Sequence, residues 1–110
     1  MHKKIAGFSP LTETSYYILL SLFEPLHGYG IMKKVEKMSH GRVLIAAGTL
    51  YGAFTSLLNN QLIVLSGEDE NNSRRKVYQI TELGKALIHF EINRLQEMVS
   101  NGLAETGGKA

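Results

Sequence analysis

The chain contains no cysteine and no tryptophan, and only two prolines in 110 residues. Without cysteine there is no disulfide framework, no thiolate metal site and no thiol nucleophile, which is compatible with a reducing compartment. The longest apolar run, Tyr16 to Phe23, is interrupted by Ser21 and is far too short to span a bilayer. Nor is a signal peptide laid out: His2, Lys3, Lys4, Ser9 and Pro10 precede Leu11, and no cleavage-like site follows the apolar run. The histidines His2, His27, His40 and His89 show no ligand spacing, and neither a Walker nor a dinucleotide glycine pattern occurs. No nucleophile, acid–base pair or metal set can be assembled, so the sequence predicts no enzyme, no cofactor and no metal centre. An excess of one charge sign is missing too. Twelve Lys and Arg against ten Asp and Glu leave +2, so attraction for nucleic acid would have to come from local clusters. These absences point to a soluble, cytoplasmic protein.

What is present is the composition of a globular domain, 44% apolar and 20% charged. The length fits a single domain over 1–110, of a size at which oligomerisation commonly adds burial. Thr12 is a candidate N-cap, and Tyr16, Leu19, Leu20 and Phe23 recur at helical spacing up to Pro25. Tyr17, Ile18 and Leu22 make this helix apolar nearly all round, more than one small core covers, which suggests a second contact surface. "LHGYGI" reads as a Gly-bracketed turn. Ile31, Met32, Val35 and Met38 then form one stripe, with Lys33, Lys34, Glu36 and Lys37 opposite, up to about Ser39–Gly41.

Arg42 to Ile45 is short and β-prone. "GTLYGAFTSLLNNQL" follows, an uncharged amphipathic helix lined by Leu50, Ala53, Phe54, Leu57 and Leu58. Two strand-like runs, Leu62–Leu65 and "KVYQI", flank the polar "SGEDENNSRR", which predicts a hairpin with a long projecting loop. Thr81 caps a last helix to about Ser100, where Ile88, Ile92, Leu95 and Val99 repeat at steps of four and three beside a stripe of Leu83, Leu87 and Phe90. Residues 101–110, rich in Gly and small polar side chains, read as a disordered tail.

The order is helix, helix, short strand, helix, hairpin, helix. The fold class is therefore mainly α with a small β-hairpin (α+β), a winged helix-turn-helix over 11–80 with an added C-terminal helix over 81–100. At "LTETSYYILLSLFEPLHGYGIMKKVE", "GTLYGAFTSLL" and "SRRKVYQITELGKALI" the sequence resembles the PadR family of bacterial transcriptional regulators, in one register over roughly residues 11–100. The resemblance implies a cytoplasmic, dimeric DNA binder, mostly a repressor, whose last helix forms the dimer with help from the first. It also implies that two copies of the uncharged helix enter successive major grooves of a near-palindromic operator. In some family members a small aromatic or cationic effector releases the DNA. The chain departs from the family's "GTLYxxLxRLExxGLI": Ser56, Leu58 and Gln61 replace its Arg, Glu and Gly, and Ala47 stands where Pro often precedes the Gly.

Candidate DNA-binding residues follow. Thr49, Tyr51 and Ser56 lie on the polar side of the uncharged helix, with Gly52 and Asn59, and offer hydrogen bonds to bases and phosphates. The backbone N–H groups of Gly48 to Leu50 favour a phosphate. Gly52, disfavoured inside a helix by about 1 kcal/mol relative to Ala, suggests close approach of DNA or another helix. Arg74, Arg75 and Lys76 put consecutive positive charges on the descending limb of the wing, suited to the DNA backbone, with Glu68, Asp69 and Glu70 placed on the other limb. Within the resemblance, "HGYG" sets the angle between the first two helices and Tyr29 reaches a phosphate. Tyr16, Tyr17, Leu20, Ile92 and Leu95 are assigned to the dimer interface, either as plain packing or as the lining of an effector pocket. The alternative is a winged-helix ligand-binding or protein-interaction module without DNA binding, favoured by the uncharged helix and the low net charge.

Overall fold

A computed structural model describes the backbone of residues 2–69 and 72–108, and side chains within 5–67 and 75–108. A six-residue helix that the sequence pattern does not announce, α1 (His2–Gly7), comes first and lies against the last helix, sending Ile5 into the core. Thr12 then caps α2 (Glu13–Ser21), its hydroxyl accepting from the Ser15 N–H at 3.0 Å. The strand β1 (Leu26–His27) follows, then α3 (Gly28–Met38), α4 (Ala47–Asn59), β2 (Ile63–Asp69), β3 (Asn72–Ile80) and α5 (Glu82–Glu105). This is a mainly helical winged helix-turn-helix with a three-stranded antiparallel sheet, in the order β1-β3-β2, and a long C-terminal helix.

The core forms where the helices close over the base of the sheet. Ile18, Leu19 and Leu22 meet Ile31 and Val35, Leu50, Phe54 and Leu57, the strand residues Ile63 and Ile80, and Leu87 and Ile88 of α5. Two backbone bonds fix how the sheet meets the helices: Ile80 N–H to the Leu22 carbonyl at 2.9 Å and Thr81 N–H to the Leu62 carbonyl at 3.0 Å. Thr81 caps α5 as expected, accepting from the Gly84 N–H at 3.1 Å. A Cβ on Gly84 would lie 2.4 Å from the Leu62 carbonyl oxygen, so only glycine lets α5 pass this close to the start of β2.

Four local expectations change. Residues 42–45 form no strand; Val43 and Ile45 turn inward and Leu44 outward, an alternation that reads as β but finds no partner strand. The short strand is instead inside "LHGYGI", where Leu26 pairs with Tyr78 and His27 with Val77, and the glycines expected in a turn belong to α3. The expected long wing loop is mostly ladder: β2 and β3 stay paired out to Asp69 and Asn72, with a bulge between Leu65 and Gly67. Finally, α5 runs to Glu105, past the expected stop at Ser100, so the first half of the presumed tail is helical.

Candidate functional site

Pairing β1 with β3 has a chemical consequence. It brings the start of α3 beside the descending limb of the wing, so that His27, Gly28, Tyr29, Tyr51, Arg75, Lys76 and Tyr78 line one cleft of about 300 Å³. Four of the residues singled out by sequence, Tyr29, Tyr51, Arg75 and Lys76, therefore share a site although they come from three elements. Arg74 precedes them in β3, but its side chain lies outside the described residues, as do those of Glu68, Asp69 and Glu70. In the ladder Glu68 stands across from Lys76.

Two tyrosines of the cleft, Tyr51 and Tyr78, are joined behind it by a buried ring, Phe54. Tyr51 meets Phe54 edge-on at 5.6 Å, and Phe54 meets Tyr78 at 4.4 Å. Phe54 is buried, while Tyr51 keeps 57% of its surface exposed and Tyr29 keeps 59%. The Tyr51 hydroxyl lies over the first turn of α3, where a Cβ on Gly28 would sit 3.2 Å from it. Lys33 stands 5.6 Å over the Tyr29 ring, which adds a cation to the same rim. Lys34 instead pairs with Glu24 at 2.8 Å.

His27, for which the sequence offers no metal or acid–base partner, is the N-cap of α3. Its Nδ1 accepts the Gly30 N–H at 3.0 Å, capping α3, and a Cβ on Gly30 would lie 2.9 Å from that nitrogen. The other ring nitrogen, Nε2, lies 2.7 Å from Arg75 Nη1. A histidine followed three residues later by glycine is the signal in the sequence, because the capping ring lies where a Cβ on Gly30 would be.

Thr49, Gly52, Ser56 and Asn59 form one exposed stripe along α4, as read from sequence, but Thr49 and Ser56 do not line the cleft. They lie about 10 Å apart along the helix axis. Around Gly52 no part of the described chain comes within 4 Å of a built Cβ, so the close neighbour suggested by that glycine is not another helix of the same chain. The Leu50 N–H already donates to the Ala46 carbonyl at 3.0 Å, which leaves Ala47 to Thr49 rather than Gly48 to Leu50 as the open end of α4.

Residues 7–89 match the sequence pattern described as "Transcriptional regulator PadR-like family". The chain belongs to the PadR-like family. It is a transcriptional regulator of a non-enzymatic, DNA-binding winged-helix class. An uncharacterized protein of Lysinibacillus sphaericus is 31% identical over 75 residues, covering 67% of this chain and 69% of that one. Among solved structures, the PadR-like transcription factor from Bacteroides fragilis is 25% identical, with a TM-score of 0.65 over 84% of this chain and 88% of that one. BpsR of Bordetella bronchiseptica, whose DNA binding is regulated by 6-hydroxynicotinic acid, is 17% identical, with a TM-score of 0.64 over 93% and 76%; that likeness is one of fold.

The motif departures now have places in this PadR-like fold. Ala47 is the first residue of α4, where proline would pre-set the helix, and the preceding Ala46 offers no capping side chain. Gln61, at the family's glycine position, adopts φ +59 where α4 ends, a conformation costing an L side chain about 1 kcal/mol or more. Ser56, in place of the family's Arg, is exposed and leaves α4 without charge.

A second region lies on α5. Leu95, Met98, Val99 and Leu103 are exposed there, and every residue from 95 to 108 faces solvent. Tyr16, Ile92 and Leu95 line a groove of about 390 Å³ with Val99 and Leu103. Tyr16, Tyr17 and Leu95 border another of about 370 Å³ with Leu11, Glu91, Arg94 and Met98. Leu20 lines neither groove and packs against the core instead. Ile88, which the four-and-three repeat placed with Val99, is buried in its own domain.

Beside the second of these grooves sits a buried carboxylate, Glu91, which is not among the residues singled out from the sequence. Burial alone would raise its pKa. Hydrogen bonds from Arg94, the Ser9 hydroxyl and the Leu11 N–H outweigh that and hold it at about 2. The Arg94 guanidinium is correspondingly pushed up by Glu91. A single acid among Leu87, Ile88 and Ile92 was the signal, since a charge at a core position needs partners.

Proposed function

We propose that this PadR-like regulator is a homodimeric repressor that holds a near-palindromic operator through two wings and two α4 helices. The observation that carries the reading is the convergence of Tyr29, Tyr51, Arg75 and Lys76 on one cleft at the start of α3. Arg75 and Lys76, with Arg74 beside them, supply the sequence-independent attraction for phosphate. Tyr29 and Tyr51 add hydroxyl donors at the rim. Thr49 and Ser56, on the exposed stripe of α4, read base edges by hydrogen bonds. An uncharged α4 then divides the labour: charge on the wing attracts, and shape and polarity on the helix discriminate.

The stripe of Leu95, Met98, Val99 and Leu103 is covered by the same stripe of a second copy, giving the isologous contact that a two-fold operator requires. The grooves beside it, bordered by Tyr16, Tyr17, Ile92 and Leu95, accept a small aromatic or cationic effector. Such a compound relieves repression by favouring a spacing of the two heads that no longer matches the operator. BpsR, similar in fold, is a regulator whose DNA binding responds to a small aromatic acid.

Binding titrations at several salt concentrations separate the two kinds of residue. Replacing both Arg75 and Lys76 by Ala removes four charges from the dimer, and is expected to flatten the dependence of log K on log salt by about 3.5 units. Changing Thr49 or Tyr51 is expected to leave the slope nearly unaltered and to shift preference among operator variants. If both sets bind like the parent, the DNA contacts are assigned to the wrong residues. A dimer that bound an effector tightly but no DNA would favour the alternative of a ligand-binding module.

A further inference from the structure

A lysine on an exposed helix face is ordinarily held by an acid or by nothing, whereas Lys33 is held by a ring. Its Nζ stands 5.6 Å over the centroid of Tyr29, one turn back on α3, within the range at which an aromatic face attracts a cation. Tyr29 is in turn packed against His27, whose ring meets it edge-on at 6.5 Å. Other cations of the helices and their connections are engaged with acids: Lys34 with Glu24, Arg42 with Glu13 and Arg94 with Glu91. Lys85 offers the closest parallel, lying 6.0 Å over Phe23, but it also pairs with Glu82 at 3.1 Å. Among the described residues Lys33 forms no ion pair, not even with Glu36, which borders the same hollow beside Leu44. A stacked but unneutralised cation at the edge of a basic cleft suits an anion from outside the chain.

We propose that Lys33 is a DNA-contacting residue, held over the Tyr29 ring so that its ammonium meets a backbone phosphate beside the cleft of Arg75 and Lys76. The inference rests on the reading of that cleft as the DNA-binding surface and deepens it, by adding a cation from α3 to those of the wing. It also gives Tyr29 a second task. Tyr29 lines the cleft, so the cation stacked on it is delivered to the α3 side of the same surface. A lysine stem is long and flexible, and ordering it on a phosphate costs conformational freedom; resting it on a ring before DNA arrives removes part of that cost. The ring face of Tyr29 therefore matters as well as its hydroxyl. A compact ammonium meets phosphate as a point charge and carries no base readout, so the contact shows in the salt dependence of binding.

The test uses the full chain and fluorescein-labelled duplexes of mixed sequence at several salt concentrations, since a phosphate contact does not depend on base identity. Lys33→Gln is expected to melt at the parent's temperature, to bind about tenfold or more weakly, and to flatten the slope of log K against log salt by about 1.8 units for the dimer. Lys33→Arg keeps a charge that stacks on the ring and is expected to restore the slope. Lys85→Gln, the ion-paired parallel, is expected to leave affinity and slope as in the parent. Tyr29→Phe keeps the ring and should keep the slope, whereas Tyr29→Leu removes the platform. In the Tyr29→Leu background Lys33→Gln should cost about two- to fivefold less affinity than it does in the parent. A parental slope in Lys33→Gln overturns the contact while leaving the DNA reading intact, and so does a lowered melting temperature with unchanged affinity, which makes the stacked pair a helix staple only. Strictly additive losses at Tyr29 and Lys33 overturn the platform. A parent that binds no duplex at any salt overturns the DNA reading itself.

Discussion

Replacing Val99 by glutamate is expected to leave a folded protein that is monomeric, with affinity for a two-half-site operator lowered about a hundredfold or more. Val99 is 61% exposed at the centre of a stripe formed with Leu95, Met98 and Leu103, all projecting from the part of α5 that leaves the domain. Spacings of three, one and four residues put these side chains on one helical face. No residue of the core lies beyond Glu91 on α5, so the substitution should leave the fold of each head intact. In an isologous contact it acts twice, placing an unpaired carboxylate from each copy in an apolar seam. Loss of the dimer removes the linkage between half-sites, whose effective concentration accounts for most of the affinity. Sedimentation at micromolar concentration checks the first half of the expectation and operator titration the second. A variant that remains dimeric would place the interface elsewhere.

Glu91→Ala should be the most destabilising of the single substitutions considered, by about 2 to 3 kcal/mol in urea unfolding. The carboxylate accepts from the Ser9 hydroxyl and the Leu11 N–H, each at 2.6 Å, and from Arg94 Nε at 2.7 Å, so its loss strands donors from two segments. Those bonds tie the connection between α1 and α2 to α5, beside the groove that Tyr16, Tyr17 and Arg94 border. The same contacts predict the acid limit. The folded pKa, about 2, lies below the ordinary 4.5, so the carboxylate's contribution is fully present above about pH 4.5 and is lost as pH falls towards 2. The full shift corresponds to about 3 kcal/mol, trimmed to about 2 because Arg94 is partly in solvent. Stability measured from pH 6 to pH 2 should fall by this amount more in the parent than in Glu91→Ala. Parallel curves would mean that Glu91 carries no such coupling.

Periodicity made the helices legible. Thr12 and Thr81 cap where their spacing to the apolar stripes indicated, and Leu50, Phe54 and Leu57 turn inward as expected. What depends on non-local pairing was hidden. Two residues, Leu26 and His27, become a strand only because Tyr78 and Val77 lie beside them, and nothing within "LHGYGI" announces it. Residues 42–45 show the converse, an alternating pattern with no partner. The charged stretch before "KVYQI" reads as a loop, because its run of polar residues shows no apolar alternation, yet the backbone on both sides of the tip is paired. Of the site, the residue types were readable and their meeting was not. Tyr29, Tyr51, Arg75 and Lys76 could be chosen singly, while the capping role of His27 needed its distance to Gly30 and the role of Glu91 needed Ser9 and Leu11.

The measurement that bears most directly on the whole account is a salt titration of the dimer on duplex DNA from the region upstream of its own gene. With Arg75 and Lys76 of both copies against phosphates, log K should fall linearly with log salt at a slope of about −3.5 or steeper. Binding that is indifferent to salt, or absent at low salt, would contradict it.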